Sequence, residues 1–447
     1  MTDSVEALNE QINRHFQIIQ KCVVPHPDYG QLLLASPPDN RYPYLYPRDA
    51  ACAAQILRRI AVSRNGYDQA ETAYCWLQSL AHFLLNVQAP AGSWGQRYNL
   101  DGENKSIYKQ EDNTAHGISI ICNYLLAADK LQKDVPDLEA MLNAVDLGLD
   151  YALKYYYEKE LNLFYSHTSI HESGIEEGYT CWVNFAYLYA MRLAEEVAEK
   201  MDHKGVISQE NLAFCRHFGY SVGELFMEGD RYIRRIDPRG RMDLRPDITL
   251  LSPFYFGFIN YPKEMEKTVR FLEKQLCDPE LGMIMRYLPF YNDFTIHVHA
   301  GNGPWLQYTA ILAQYHYWAG NGKRGDELMA LIDRHRGPEG EIPEHLSTCA
   351  RFKKFMEQEW ETGLDFEKEF YKPILLERVS FDNILEEANN MARSYHQTAN
   401  KCMIINGSSA EGGYIQFAQP LMWSHMEYLR AIMIKEKDWW RIKRTSS

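Results

Sequence analysis

The chain contains no run of basic residues that could track a phosphate backbone. Its 47 Lys and Arg stand against 60 Asp and Glu, for a formal net charge of −13, which argues against nucleic acid as a partner. It also lacks any window of 18 apolar residues, and its opening MTDSVEALNEQINRHF carries acids and amides where a secretory leader needs a basic start and an apolar core. The expectation is a soluble, cytoplasmic protein with no membrane partner. Nine cysteines (Cys22, Cys52, Cys75, Cys122, Cys181, Cys215, Cys277, Cys349, Cys402) fall in no CxxC spacing. That excludes a sequence-evident zinc site and points to reduced thiols rather than a disulfide framework. Phosphate loops, Pro/Ser-rich linkers and low-complexity tracts are missing too, and no metal or cofactor is expected. His297 and His299 in TIHVHAG alternate as on a strand and read as structural or sugar-contacting residues rather than ligands. Strand-like patterns are scarce, the best being the hairpin-like RYIRRIDPRGRMDLR from Arg231 to Arg245.

What the chain does have is helical periodicity and aromatic side chains, which make up 13% of its 447 residues. Cys52, Ala53, Ile56, Leu57 and Ile60 recur at helical spacing. The same period continues through about a dozen segments, with Pro304 and Pro420 placed as first helical residues and Gly320 and Gly322 as stops. This predicts a single all-α domain over residues 1–447, built as a solenoid of helical hairpins or as a closed toroid of six. The absence of a fixed repeat disfavours the solenoid.

The loops between helices hold the polar chemistry. YPYLYPRDA sets Arg48 and Asp49 at the opening of a helix, where Asp49 alone would suffice as a cap. Arg48 then reads either as half of a salt bridge or as part of a polar fork in an aromatic-walled pocket. GSWGQRYNLDG offers Trp94, Gln96 and Arg97, and KQEDNTAHG offers Gln110, Asp112 and Asn113 before an apolar helix that either Asp112 or Asn113 can cap. HESGIEEGYT places Glu172, Glu176 and Glu177 together, and GPEGEIPEHLS carries Glu344 far downstream. Two carboxylates across a cleft are the minimum equipment for glycosidic cleavage, one protonated to donate and one ionised to activate water or attack.

YLYPRDA, GSWGQR, QEDNTA, IEE, GNGPW, IPEH and QPLMWSHMEYLRA occur in an order that resembles glucoamylase-like and isomaltose glucohydrolase-like enzymes, glycoside hydrolase family 15. The resemblance spans Tyr44 to Ala431 and implies an (α/α)6 toroid. It also implies an inverting exo-hydrolase that releases glucose from the non-reducing ends of short α-glucosides, a small oligosaccharide being the partner. By motif, Arg48 and Asp49 would hold the terminal glucose. Tyr44 and Trp94 would supply walls, with Gln110, Asp112 and Trp305 at the same mouth. The general acid would be Glu176 or Glu177, depending on alignment, because the motif tryptophan is missing. Glu344 would be the base, with His345 in place of the usual glutamine and Glu411 as a rival.

Residues 349–400 look like a helical insertion relative to the family, read as a solvated flank, a lid, or a surface for homo-oligomer formation. Two other functional classes stay open at this point: an (α/α)6 sugar epimerase or isomerase using histidines, and a non-catalytic sugar-sensing toroid.

Overall fold

The computed structural model describes residues 2–219, 222–288, 303–358, 360, 368, 371–399 and 413–439. His297, His299 and Glu411 lie outside them. Helices run in chain order as α1 Thr2–Ile19, α2 Pro47–Ala61, α3 Ala70–Val87, α4 Asp112–Leu131, α5 Leu138–Tyr155, α6 Cys181–Met201, α7 Gln209–Phe218, α8 Val222–Leu225, α9 Ser252–Tyr255, α10 Pro262–Leu276, α11 Leu306–Trp318, α12 Gly322–Arg334 and α13 Cys349–Gln358. Two more helices, Phe381–Ala399 and a closing helix Met422–Lys435, follow.

Packing closes these helices into a ring. α2 packs on α4, α4 on α6, α6 on α9, α9 on the turn Ile248–Leu251 and that turn on α11, α11 on the closing helix, and the closing helix back on α2. Other long helices lie outside: α1 on the closing helix, α3 and α5 on α4, α7 on α6, and α12 on α11. Burial follows the same division. α4 is buried at every position from Asp112 to Ala128, as a helix surrounded by protein must be. α10 buries only Met265, Thr268, Val269, Leu272 and Leu276, one face of an amphipathic helix. The alternating inner and outer helices form the all-α (α/α)6 toroid. Several ends are capped by the expected chemistry: Thr180 accepts from the Val183 N–H and Ser208 from the Asn211 N–H.

Three expectations need correction. Pro304 and Pro420 do not open helices, and Gly322 opens α12 rather than stopping a helix. α11 begins at Leu306 after Trp305, and the closing helix begins two residues beyond Pro420, at Met422. Strand pairing is more frequent than the single hairpin predicted. That hairpin exists between Arg235–Ile236 and Met242–Asp243, but Tyr179–Thr180 adds to it as a third strand, and His345–Thr348 pairs with Tyr414–Phe417 elsewhere. Cys349 is disulfide-bonded, whereas Cys22, Cys52, Cys75, Cys122, Cys181, Cys215 and Cys277 are free. Spacing along the chain cannot foretell such a bond, since the fold chooses which cysteines meet. Among the described residues, no helix is long and apolar enough to cross a membrane.

The insertion is a packed body. Phe352, Phe355, Trp360, Tyr371, Ile374 and Ala388 form a second hydrophobic cluster with Ile107 and Tyr108 of the α3–α4 connection.

Candidate active site

At the N-terminal ends of the inner helices lies a pocket enclosing about 700 Å³ of space, part of it open solvent. Each wall comes from a different stretch of chain. Arg48 and Asp49 stand in the first turn of α2, Gln96 and Arg97 on the α3–α4 connection, Trp305 and Tyr308 at the start of α11, and Trp423 on the closing helix.

Glu344 is held from both sides. Its N–H donates to the Phe417 carbonyl at 2.9 Å and its own carbonyl accepts from the Leu306 N–H at 2.9 Å. Close packing demands Gly303 beside it, because a Cβ there would sit 1.7 Å from the Leu346 carbonyl oxygen. The carboxylate faces the pocket, with the Tyr42 hydroxyl donating to Oε2 at 3.0 Å and His345 Nδ1 at 3.1 Å from the same oxygen. The His345 ring is sandwiched between Trp305 and Phe417, with centroids at 4.6 and 4.3 Å. Burial lowers its pKa against the pull of Glu344, so the neutral ring donates its Nδ1 proton. Two donors thus converge on one oxygen of this carboxylate.

Of the glutamates in the Glu172–Glu177 segment, Glu172 lines the pocket and Glu176 and Glu177 do not. Glu172 lines the pocket, with a backbone φ of +55° that turns it out of the loop. Its Oε1 accepts from Gln96 Nε2 at 2.8 Å and Gln110 Nε2 at 3.0 Å. Glu176 is buried instead. Its carboxylate accepts from Thr168 Oγ1, the Ser169 N–H, Ser169 Oγ and the His171 N–H at 2.6 to 3.0 Å, which ties together the turn that presents Glu172. Glu177 accepts from the Tyr165 hydroxyl at 2.9 Å and is not part of the pocket lining. His171, just before Glu172, is anchored by Nε2 to Asp247 at 2.9 Å, and Arg234 lies 3.3 Å from the same aspartate.

Arg48 does not pair with its neighbour. Its guanidinium donates to Asp112 at 3.1 Å, Gln110 at 2.7 Å and the Ser169 carbonyl at 2.9 Å. Desolvation works against this cation, but Asp112, Glu172 and Asp49 outweigh it and raise its pKa. Asp112 is opposed by burial and held well below the usual carboxylate range by Arg48 and then His116. Gln110 and Asp112 thus stand behind Arg48 rather than in the pocket wall, and neither Asp112 nor Asn113 caps α4 with its side chain. Asp49 faces the pocket. Burial pushes its carboxyl up to about 7 against the pull of Arg48, with Glu344 and Glu172 adding to the rise.

Two of the expected aromatic walls are elsewhere. Trp94 is a core residue whose indole N–H donates to the Leu84 carbonyl at 2.8 Å, in a slot left open by Gly117 and Gly148. Tyr44 lies beside the pocket with Arg97 over its ring, 4.9 Å from the centroid. Trp305 does line the pocket, and the Arg286 guanidinium stacks 3.9 Å from its centroid. Arg286, Tyr308 and Trp423 are lining residues that sequence reasoning did not single out. Ser169-Ile170-His171-Glu172 resembles a Gly-Ile-Trp-Glu pattern with serine for glycine and histidine for tryptophan, a sequence signal that could have set Glu172 apart from Glu176 and Glu177. Among the described residues no cluster of His, Cys, Asp or Glu is arranged to hold a metal ion.

No protein-family model matches the chain, and no curated protein does. Solved structures match along nearly its whole length. A wild-type glycosidase superposes with a TM-score of 0.59 at 14% identity, over 98% of this chain and 99% of its own. Glucoamylase from Saccharomycopsis fibuligera gives 0.54 at 16% identity, over 97% and 96% of the two chains. A bacterial glucoamylase complexed with acarbose gives 0.55 at 15% identity, over 91% of this chain and 52% of that one. The ring of paired helices with its pocket at one end is therefore the glucoamylase-like fold.

Proposed function

We propose that the protein is an exo-acting, inverting glycoside hydrolase that releases glucose from the non-reducing end of short α-glucosides, with Glu344 as general base and Glu172 as general acid. One observation carries the reading: two glutamates from distant loops line the same pocket, together with Arg48, Asp49 and Trp305. The base role goes to Glu344 because Ile342–His345 resembles the family's base motif, and its Oε1 is left clear by the two donors on Oε2 to meet a water. Glu172 engages its amide donors through Oε1, leaving Oε2 clear to meet the departing sugar oxygen. Trp305, stacked between Arg286 and His345, presents its edge to the pocket and Tyr308 lines it alongside, which gives a pyranose ring aromatic edges to pack against. Asp49 and the cation beside it suit hydroxyl groups. The likeness to glycosidases adds support, one of them solved as a variant in complex with glucose. Inversion is supported by the resemblance of Ile342–His345 to the family's base motif.

Proton NMR during incubation with maltose, isomaltose, nigerose and trehalose tests the proposal. β-Glucose should appear first from at least one of them. Initial α-glucose would overturn inversion, and persistence of all four would overturn hydrolysis.

A further inference from the structure

The inserted helix Phe381–Ala399 contributes a side chain to the pocket: Glu387 lines it, and its carboxylate lies 3.9 Å from Arg97 Nη1. The segment before this helix is annealed to the pocket wall. Tyr108 and Leu375 form an antiparallel bridge, the Lys109 N–H donates to the Ile374 carbonyl at 2.7 Å, and the Leu376 N–H to the Ile107 carbonyl at 3.0 Å. Arg378 adds bonds to the carbonyls of Asn104 and Ser106, each at 3.1 Å. Ile107 and Tyr108 line the pocket and belong to the insertion's hydrophobic cluster as well. The insertion is thus a wall of the pocket and not a solvated flank.

Depth assigns the wall its role. Arg48, Tyr308 and Trp423 are buried, whereas the Glu387 side chain is 38% exposed and Arg97 14%. In a pocket that is blind at the Arg48 end, the terminal glucose fills the floor and the departing sugar sits at the rim. We infer that the insertion forms the subsite for the leaving sugar, with Glu387 as the residue that selects a neutral one; this rests on the hydrolase reading above.

The chemistry of the rim points to neutral hydroxyls. Arg97 already donates to the Tyr46 hydroxyl and the Lys105 carbonyl. Glu387 offsets its charge and keeps acceptor capacity for vicinal hydroxyl groups. A phosphorylated leaving sugar would meet that carboxylate directly.

α-Glucosyl fluoride separates the two subsites, because its leaving group reaches no sugar site. The Glu387→Ala change should lower kcat/KM on the fastest-cleaved disaccharide by roughly tenfold or more while leaving α-glucosyl fluoride within about twofold. An unchanged disaccharide rate, or equal losses on both substrates, would overturn the inference. Failure of the unaltered enzyme on both substrates would instead count against hydrolysis. Calorimetric titration then decides the subsite independently of turnover. In E344Q the disaccharide should bind more tightly than glucose, and adding E387A should abolish the difference without changing glucose affinity. If E387A leaves that difference intact, or if neither sugar binds E344Q, the subsite does not exist.

Discussion

Glu176 accepts the backbone N–H of His171, the residue immediately before Glu172, at 3.0 Å. A carboxylate that resembles a catalytic acid by motif is therefore the anchor of the turn that presents another. The Glu176→Gln change swaps one acceptor oxygen for an amide that faces donors, and should destabilise the protein by roughly 1–3 kcal/mol. Because the turn fixes Glu172, kcat should fall by more than KM rises, and the basic limb of the kcat profile should move. Calorimetry and a pH series on E176Q check this. A loss of stability with both kinetic constants intact would reduce Glu176 to scaffold.

Replacing either pocket carboxylate removes a proton-transfer partner. E172Q and E344Q should each lower kcat by roughly 10²–10⁴-fold with little change in Tm, measured as initial glucose release. E177Q should stay near full activity, since Glu177 bonds Tyr165 outside the pocket.

Asp49 makes stability depend on pH in an unusual direction. Its pKa rises from 3.8 in the unfolded chain to about 7 in the fold. Stability from this group is complete below the lower value and is lost as pH rises through the higher one. D49N removes that loss, so its Tm minus that of the unaltered protein should grow between about pH 4 and about pH 7 and level off above. Differential scanning at matched ionic strength reads the difference, and a flat line would contradict the desolvated environment.

Asp112 behaves oppositely. Its depressed pKa means a contribution that is present above 3.8 and lost as pH falls below it. D112N leaves the buried Arg48 without its main counter-charge and should cost roughly 3–5 kcal/mol, a loss visible in urea titration at neutral pH.

Gly117→Ala tests the placement of Trp94. A Cβ there would lie 2.4 Å from the indole ring, so overpacking should cost roughly 1–3 kcal/mol and change the tryptophan fluorescence.

The ring of helices was readable from periodicity because inner and outer helices both keep a 3.6-residue pattern, and Arg48, Asp49, Glu344 and Trp305 reach the pocket from helix starts or a motif segment. Glu172 was hidden because its exposure depends on a positive φ and on Glu176 gathering four donors, neither of which a linear pattern displays. Trp94 was misplaced because a tryptophan beside polar residues looks the same whether it faces a sugar or fills a slot. Only the distant glycines Gly117 and Gly148 reveal the slot. The roles of Asp112 and Arg48 were mixed for a similar reason: adjacency suggested Arg48 with Asp49, while the fold pairs Arg48 with a residue 64 positions away.

Ile107 and Tyr108 face substrate space on one side and the insertion's own small core on the other. Small cores melt before large ones. On warming, the rim should lose its shape while the toroid still stands, so that thermal inactivation on disaccharides precedes the main unfolding event and reverses on cooling.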